Sequence, residues 1–296
     1  MTYKIVEEVQ PELRSQACVL FSVYKNDTPV DLIAAFASLQ HQTVQDFETL
    51  IVIDGPVGDD IMETVKGLLK SERTIGRRHC AIIQITANVG LGNAVNIAVP
   101  LTKAQYLIAF HGDDVSRANR LARQIAILAS DERIGMVSSA IEEFERVPGD
   151  MGAVRQVAPD EIKAAGQLWM VNPFNAPSVA MRKAAFDDVK GYTEVKWHED
   201  YVLWAKLLGR GWKIRGITDV LVDMKVNRAT LLRRGGFTYC KYATHARWLA
   251  YRYGGIGLGG AIAGIALTWL TRNLPKNIRQ RLVLRFFRDA LLTERS

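Results

Sequence analysis

The chain alternates short, almost unbroken apolar runs with longer segments whose apolar residues recur every three to four positions. ACVLFSV (17–23), FETLIVIDG (47–55), CAIIQIT (80–86) and QYLIAF (105–110) are of the first kind. Such runs predict strands buried on both faces, because a half-exposed strand would alternate with polar residues. Segments 28–42, 58–71 and 90–102 have helical spacing, and the first opens with Thr28 as N-cap and Pro29 in its first turn. The alternation predicts an α/β fold, a Rossmann-like, mostly parallel central sheet with helices on both faces. Ligands of such sheets sit where the strands reach their carboxyl ends.

Beyond residue 134 the order is less regular. IGMVSSAIEEFE (134–145) reads as a strand, 146–168 as a polar loop or short helix, and SVAMRKAAFDDV (178–189) as a strand passing into a helix. Segment 198–211 reads as a helix and 212–226 as one or two strands. No internal repeat or low-complexity tract interrupts the pattern.

The C-terminal part differs. GGIGLGGAIAGIALTWL (254–270) carries no charge but is glycine-rich and short of the roughly 20 apolar residues that span a bilayer. NIRQRLVLRFFRDALL (277–292) places Arg281, Arg285 and Arg288 on one side of a helical wheel and Leu282, Val283, Phe286 and Phe287 on the other. Basic amphipathic helices of this kind lie in a membrane interface. Packing of both segments on the body as ordinary helices is the alternative. The division expected is a catalytic domain over 1–230 and a basic, amphipathic, membrane-associated helical tail over 231–296.

Charge sharpens that division. The net charge of +7 over 296 residues resolves into +12 over residues 225–296 and −5 over the rest. A basic tail on a mildly acidic body suits an anionic surface: nucleic acid, anionic lipid or a diphosphate. A hydrophobic content of 48% is ample for a large core. Cys18, Cys80 and Cys240 are too widely spaced for a zinc site or a disulfide framework, which fits a reducing compartment. The charged N-terminal stretch MTYKIVEEVQPELRSQ lacks the apolar core of a secretion signal.

Candidate chemistry collects at the predicted strand ends. SVYKND (22–27) follows the first buried strand and VIDG (52–55) the second, where an Asp can accept hydrogen bonds from a base or ribose; a solvated turn is the plain reading of either alone. NVGLGNAVN (88–96) offers glycines and a helix N-terminus to a phosphate, without the Gly-Lys-Ser/Thr of a Walker loop. Asp113 and Asp114 follow a buried strand, and hard oxygen ligands there suit Mg2+ or Mn2+ completed by substrate phosphates. One of them as N-cap of a helix starting near Ser116 is the competing explanation. Glu199 and Asp200 stand at a helix start, where the dipole favours carboxylates and where either is placed to act as a general base.

Taken in order, SVYKND, VIDG, NVGLGNAVN, HGDDVSRANRLARQ, NPFNAPSVAMRKAAF, HEDYVLWAKLLGRG and VNRATLLRRGG resemble a family 2 glycosyltransferase of the GT-A fold. The likeness is to the bacterial type that builds exopolysaccharide, capsule or O-antigen units, and it covers about residues 17–240. The resemblance implies a nucleotide-sugar donor, with UDP expected, a divalent metal, and inversion at the anomeric carbon. It assigns the uridine to Val23, Tyr24 and Asp54, the donor border to Asn88 and Gly90, and the metal and sugar diphosphate to Asp113 and Asp114. It assigns the base to Asp200 with Glu199 as neighbour. Arg233 and Arg234 of RRGG read either as a cationic clamp on a diphosphate or as the start of the membrane-facing tail. The acceptor implied is a lipid-linked, polyprenyl diphosphate saccharide at the cytoplasmic face of a bacterial inner membrane, where the protein is peripheral.

Two positions depart from the pattern. His111 replaces the usual leading acid of the aspartate motif, and Ala176 replaces a His that often precedes Pro-Ser-Val. His111 and His198 are the imidazoles available as ligands instead. A nucleotidyltransferase-like enzyme is a second expectation, though VYKNDTPVD lacks that class's Gly-rich basic loop. A catalytically degenerate sugar-nucleotide-binding protein is a third, opposed by intact Asp113, Asp114 and Asp200. A nucleic-acid partner explains the basic tail but not an acidic crevice, so none is expected.

Overall fold

The computed structural model of the protein describes residues 2–9, 15–74, 80–226 and 236–273. Its strands are β1 (Tyr3–Val9), β2 (Ala17–Val23), β3 (Glu48–Ile53), β4 (Cys80–Ile85), β5 (Tyr106–His111), β6 (Val115–Ser116), β7 (Ile134–Phe144), β8 (Ala153–Arg155), β9 (Ala180–Arg182) and β10 (Lys213–Lys225). Its helices are α1 (Pro29–Gln40), α2 (Asp59–Thr74), α3 (Leu91–Ala98), α4 (Arg120–Ser130), α5 (Glu161–Leu168), α6 (Lys183–Asp188), α7 (Glu199–Gly209), α8 (Phe237–Arg252) and α9 (Leu258–Arg272).

The strands form one ten-stranded sheet in the order β1-β4-β3-β2-β5-β9-β7-β10-β6, with β8 paired to β7. Strands β4, β3, β2 and β5 are mutually parallel, as are β7 and β10. The chain leaves β2 toward β3 and β4 and returns to β5 on its other side, so the topological switch lies between β2 and β5. That is where such sheets open a ligand crevice.

Burial explains the unbroken apolar runs. Ala17, Val19, Phe21 and Val23 of β2 enter one core layer with Leu32 and Phe36 of α1 and Leu69 of α2. Cys18 and Leu20, on the opposite pleat, enter the other layer with Val95, Phe186 and Trp204. Burying one such side chain contributes roughly 1.5–3 kcal/mol, so neither face tolerates a polar alternate. Phe21 stacks on Phe110 at 5.5 Å, fixing β2 against β5.

Several expected elements shift. YKIVEEV, read only for its charges, is β1, an antiparallel edge strand on β4. Lys4 and Ile5 are exposed on it, and Val6 packs partly buried against the core. Helix α4 starts at Arg120 rather than near Ser116, because Val115 and Ser116 pair with Asp223 and Val222 as β6. The helix expected over 90–102 is α3, followed by a 3₁₀ turn at Val99–Leu101 where Pro100 interrupts it. Segment 146–168 contains both β8 and α5, and 212–226 forms a single strand with register shifts.

The described part of the tail packs on the body. Ala246, Ala250, Ile256 and Ala261 form a third cluster with Leu168, Tyr201, Val202 and Ala205. Backbone contact there is very close: a Cβ on Gly209 would lie 1.8 Å from the Tyr253 carbonyl, and one on Gly255 2.5 Å from Ala205. Helix α9 buries Ala261, Gly264 and Thr268 and leaves Leu258, Ile262 and Leu270 exposed. Among the described residues, no helix is long and apolar enough to cross a membrane. The amphipathic segment 277–292 lies outside the described residues.

Candidate active site

At the switch point the ends of three strands are stitched together. Asp54 N donates to the Val23 carbonyl at 2.8 Å, and Gly112 N donates to the Ser22 carbonyl at 3.0 Å. This sets Val23, Asp54 and the turn after β5 side by side. Tyr24 projects outward from it, 42% exposed.

Asp54 is buried and braces the 88–90 loop. Its Oδ1 accepts from Val89 N at 2.8 Å, and its Oδ2 from Gly90 N at 2.9 Å and Asn88 Nδ2 at 3.0 Å. The loop crosses so close to Gly55 that a Cβ there would lie 2.7 Å from Asn88 N. Gly90, at φ 86°, then turns the chain into α3. Three donors fix one carboxylate, so Asn88 and Gly90 hold their positions through Asp54.

The turn after β5 concentrates negative charge. Asp114 is buried; its Oδ1 accepts from Lys225 N at 2.9 Å. His111 Nδ1 lies 3.3 Å from its Oδ2, an ion-pair separation outside hydrogen-bond alignment, so that oxygen has no aligned donor. Burial opposes protonation of His111, but Asp114 and then Asp113 outweigh it and hold the imidazole above its ordinary value. Neither acid caps a helix.

His111 and a backbone hydrogen bond relieve Asp113 only in part. Burial and the adjacent Asp114 push its carboxyl up to about 6. Burial pushes Asp27 up to about 7 despite the hydrogen bond from Tyr24 N at 3.0 Å, and Asp113 adds to the rise. Gly112 is what admits Asp27: a Cβ at 112 would come 3.0 Å from Asp27 Oδ2 and 2.6 Å from Leu32 Cδ2. Lys225 Nζ reaches Asp31 at 2.6 Å and so offsets part of the charge.

Among the described residues no three carboxylate, imidazole or thiolate groups close on a point as a self-contained metal site. A crowded set of acids with an orphaned buried oxygen does fit a cation that takes its remaining ligands from a diphosphate, the usual habit of Mg2+ and Mn2+. Asp113 and Asp114, with Asp27 beside them, are the residues that would hold it.

Glu199 and Asp200 open α7 on the wall of a cleft of about 1710 Å³ that also contains His111, Asn172 and Tyr192. Asn172 Nδ2 donates to Asp200 Oδ2 at 2.7 Å and orients it. Burial, with Asp200 next to it, raises Glu199. Burial and both acids raise the Tyr192 phenol, which keeps it a neutral donor. Tyr192 in turn packs on Gly92 at the start of α3 and donates its N–H to Asn96 at 2.8 Å. The cleft therefore gathers His111, Glu199 and Asp200, while Val23, Asp54, Asn88, Gly90, Asp113 and Asp114 lie on the adjoining strand ends outside its lining. Arg233 and Arg234 lie outside the described residues.

Asp27, Asn172, Tyr192 and Lys225 were not singled out from the sequence. Asp27 and Asn172 stand inside SVYKND and NPFNAPSV, but no spacing distinguishes them from ordinary turn residues. Lys225 reaches the site only because β10 ends beside β6.

With this geometry fixed, the profile of Glycosyl transferase family 2 matches residues 18–189, from β2 through α6. The chain belongs to that family. It is a glycosyltransferase, and its relatives agree. It is 32% identical over 88% of its length to a UDP-Gal:alpha-D-GlcNAc-diphosphoundecaprenol beta-1,3-galactosyltransferase of Escherichia coli, covering 92% of that protein. It is 25% identical over 88% of its length to the amylovoran biosynthesis glycosyltransferase AmsE of Erwinia amylovora, covering 96% of it.

Solved structures agree on the GT-A-like fold. The glycosyltransferase superposes with a TM-score of 0.62 on the mannosyltransferase PcManGT of Pyrobaculum calidifontis in complex with GDP-Man and Mn2+, at 19% identity, covering 96% of this chain and 84% of that one. It superposes with a TM-score of 0.62 on residues 1–349 of S. aureus TarS in complex with UDP-GlcNAc, at 14% identity, covering 92% and 76%.

The acid cluster gives a signed pH dependence. A carboxyl raised on folding binds more protons folded than unfolded, so its contribution to stability falls as pH rises from about 4 toward the folded value. Asp27→Asn keeps an oxygen for Tyr24 N and removes the charge. In EDTA, the variant is expected to melt with the wild type near pH 4 and increasingly above it through pH 7 to 8. Parallel melting curves across that range would show that Asp27 carries no such penalty.

Proposed function

We propose that the enzyme transfers a sugar with inversion from a nucleotide-sugar, a UDP-sugar, to a lipid-linked diphosphate saccharide. Its setting is the cytoplasmic face of a bacterial membrane, in surface polysaccharide synthesis. The catalytic unit spans about 1–230, and 231–296 is the basic, membrane-associated tail. The observation that carries the reading is Asp200, held by Asn172 on the wall of one cleft with the end of β5. The galactosyltransferase relative, named for a UDP-sugar donor and a diphosphoundecaprenol acceptor, supports both substrate classes.

In this reading the donor lies over the ends of β2, β3 and β5. Val23 and Tyr24 border its base, Asp54 shapes the Asn88–Gly90 loop beside it, and Asp113 and Asp114 face its diphosphate. A divalent cation, Mn2+ or Mg2+, when bound there neutralises charge on the diphosphate. Asp200 accepts the proton of the acceptor hydroxyl as that oxygen bonds to the anomeric carbon and the bond to the diphosphate breaks on the opposite face. Glu199, raised by burial, is the neighbouring carboxylate that tests this assignment.

Asp200→Asn retains shape and the Asn172 contact but not basicity. Its turnover is expected to fall by about 10²–10⁴, the usual weight of a general base, with UDP binding kept. An active Asp200→Asn with a dead Glu199→Gln would transfer the role to the neighbour.

EDTA is expected to abolish transfer and added Mn2+ or Mg2+ to restore it, with Asp113→Ala losing at least about a hundredfold. Full turnover in EDTA would remove the metal from this reading.

Membrane contact is supported by the uncharged outer face of α9, where Leu258, Ile262 and Leu270 are 48%, 61% and 69% exposed, together with the basic tail. Ile262→Glu with Leu270→Glu is expected to reduce flotation with anionic liposomes severalfold at unchanged melting temperature, since neither side chain is buried. Undiminished flotation would take α9 out of the contact.

A further inference from the structure

Trp197 has a left-handed backbone, φ 63°. A bulky residue adopts that conformation only under constraint, and such outliers concentrate at functional sites. It stands directly before His198, the N-cap of α7, and so just ahead of Glu199 and Asp200. The strained turn presents the indole to the cleft that holds Asp200, and 48% of the residue is exposed there.

The ring is fixed, not loose. Tyr239 of α8 stacks against it at 6.3 Å and 28°, and Tyr242 meets it edge-on at 5.5 Å. His198 meets Tyr239 edge-on at 5.2 Å, which ties the N-cap of α7 to the same group. Cations border the cluster. Lys196 Nζ lies 5.5 Å from the Trp197 ring centre, and the Arg272 guanidinium lies 5.3 Å from that of Tyr239. Tyr239 and Arg272 also line the cleft.

A rigid, half-exposed aromatic surface beside a general base matches a saccharide ring, whose C–H faces are apolar and whose rim is polar. Aromatic residues supply large contact area at small entropic cost. The bordering cations match a diphosphate. The donor is proposed over the ends of β2, β3 and β5, whose donor-facing residues lie outside the cleft's lining, so the wall bearing Trp197 is left to the second substrate.

We propose that Trp197 and Tyr239 form the platform on which the acceptor saccharide binds, with its diphosphate toward Lys196 and Arg272. The C-terminal helices then build part of the acceptor site. The inference rests on the proposed function and names residues for its second substrate.

The probe is N-acetylglucosamine α-linked to a diphosphate carrying a short alkyl chain. Trp197→Asn is the informative variant, because Asn tolerates the left-handed backbone and folding is preserved. Trp197→Asn and Tyr239→Leu are each expected to raise the acceptor KM and the probe's Kd at least tenfold. The Kd for UDP is expected to stay within twofold, and Trp197→Phe to restore most of the acceptor affinity. Unchanged acceptor affinity in Trp197→Asn overturns the platform and leaves the proposed function standing. Equal loss of UDP and acceptor binding also overturns it, by marking a structural role. A wild-type enzyme that hydrolyses its donor but neither binds nor glycosylates the probe refutes the proposed acceptor class, and the platform with it.

Discussion

The site is organised by like charges forced together. Parallel strands end at a common edge, and the switch between β2 and β5 brings Asp27, Asp113 and Asp114 to it from two separate loops. Burial first, and the neighbouring carboxylates after it, push Asp27 and Asp113 upward. The protein answers only part of that charge. Lys225 supplies its backbone N–H to Asp114 and its ammonium to Asp31, and His111 lies beside Asp114. What remains is a standing preference for positive charge at the strand ends. His111, beside Asp114, adds positive charge to this corner and leaves the paired aspartates in place.

The buried Arg120 transmits this arrangement into the scaffold. Its guanidinium donates to the Ala109 and Pro177 carbonyls and to Ser116, joining the end of β5, the turn before β9 and the strand after Asp114. Burial lowers its pKa to about 9, still well above neutrality, so the charge is kept. Deleting one partner of such a network leaves buried carbonyls without donors, which costs more than the bonds contribute. The aspartate turn and the 172–178 segment that carries Asn172 are thus held at a fixed distance by one side chain. The segment's Asn175 adds further bonds: it donates to Ser138, Ser139 and Arg155 and accepts from Arg155 Nε.

The parallel half was legible because its physics is local. A strand buried on both faces must be apolar throughout, so 17–23, 47–55, 80–86 and 105–110 announce themselves, and the carboxylates that follow them fall at the crevice by topology alone. Edge and crossing strands give weaker signals. β1 needs only one apolar face, and β6 is too short to show a period. Asn172, Tyr192 and Lys225 join the site through tertiary contacts over long sequence separations, which no motif encodes. The proposed base, Asp200 with Glu199 beside it, was picked out for the opposite reason: acids at a helix start are common, and only the family order of motifs set these two apart.

In the proposed reading, helix α9 links the chemistry to the acceptor's anchor. Residues a helical turn apart share a face, so Leu258, Ile262 and Leu270 project on one side while Ala261, Gly264 and Thr268 pack inward. Leu267, Thr268, Thr271 and Arg272 line the cleft from the inward side. One wall of the cleft is therefore the back of an exposed apolar surface. A saccharide carried on a membrane lipid has to reach Asp200 while its chain stays in the bilayer, and a helix about 10 Å across is the shortest partition between the two. Close backbone contact at Gly209 and Gly255 leaves α7 and the turn before α9 no room to slide. If the outer face rests on the leaflet, the proposed base and aromatic platform sit at a fixed height above it. The tail then sets the reach of the active site as well as its attachment.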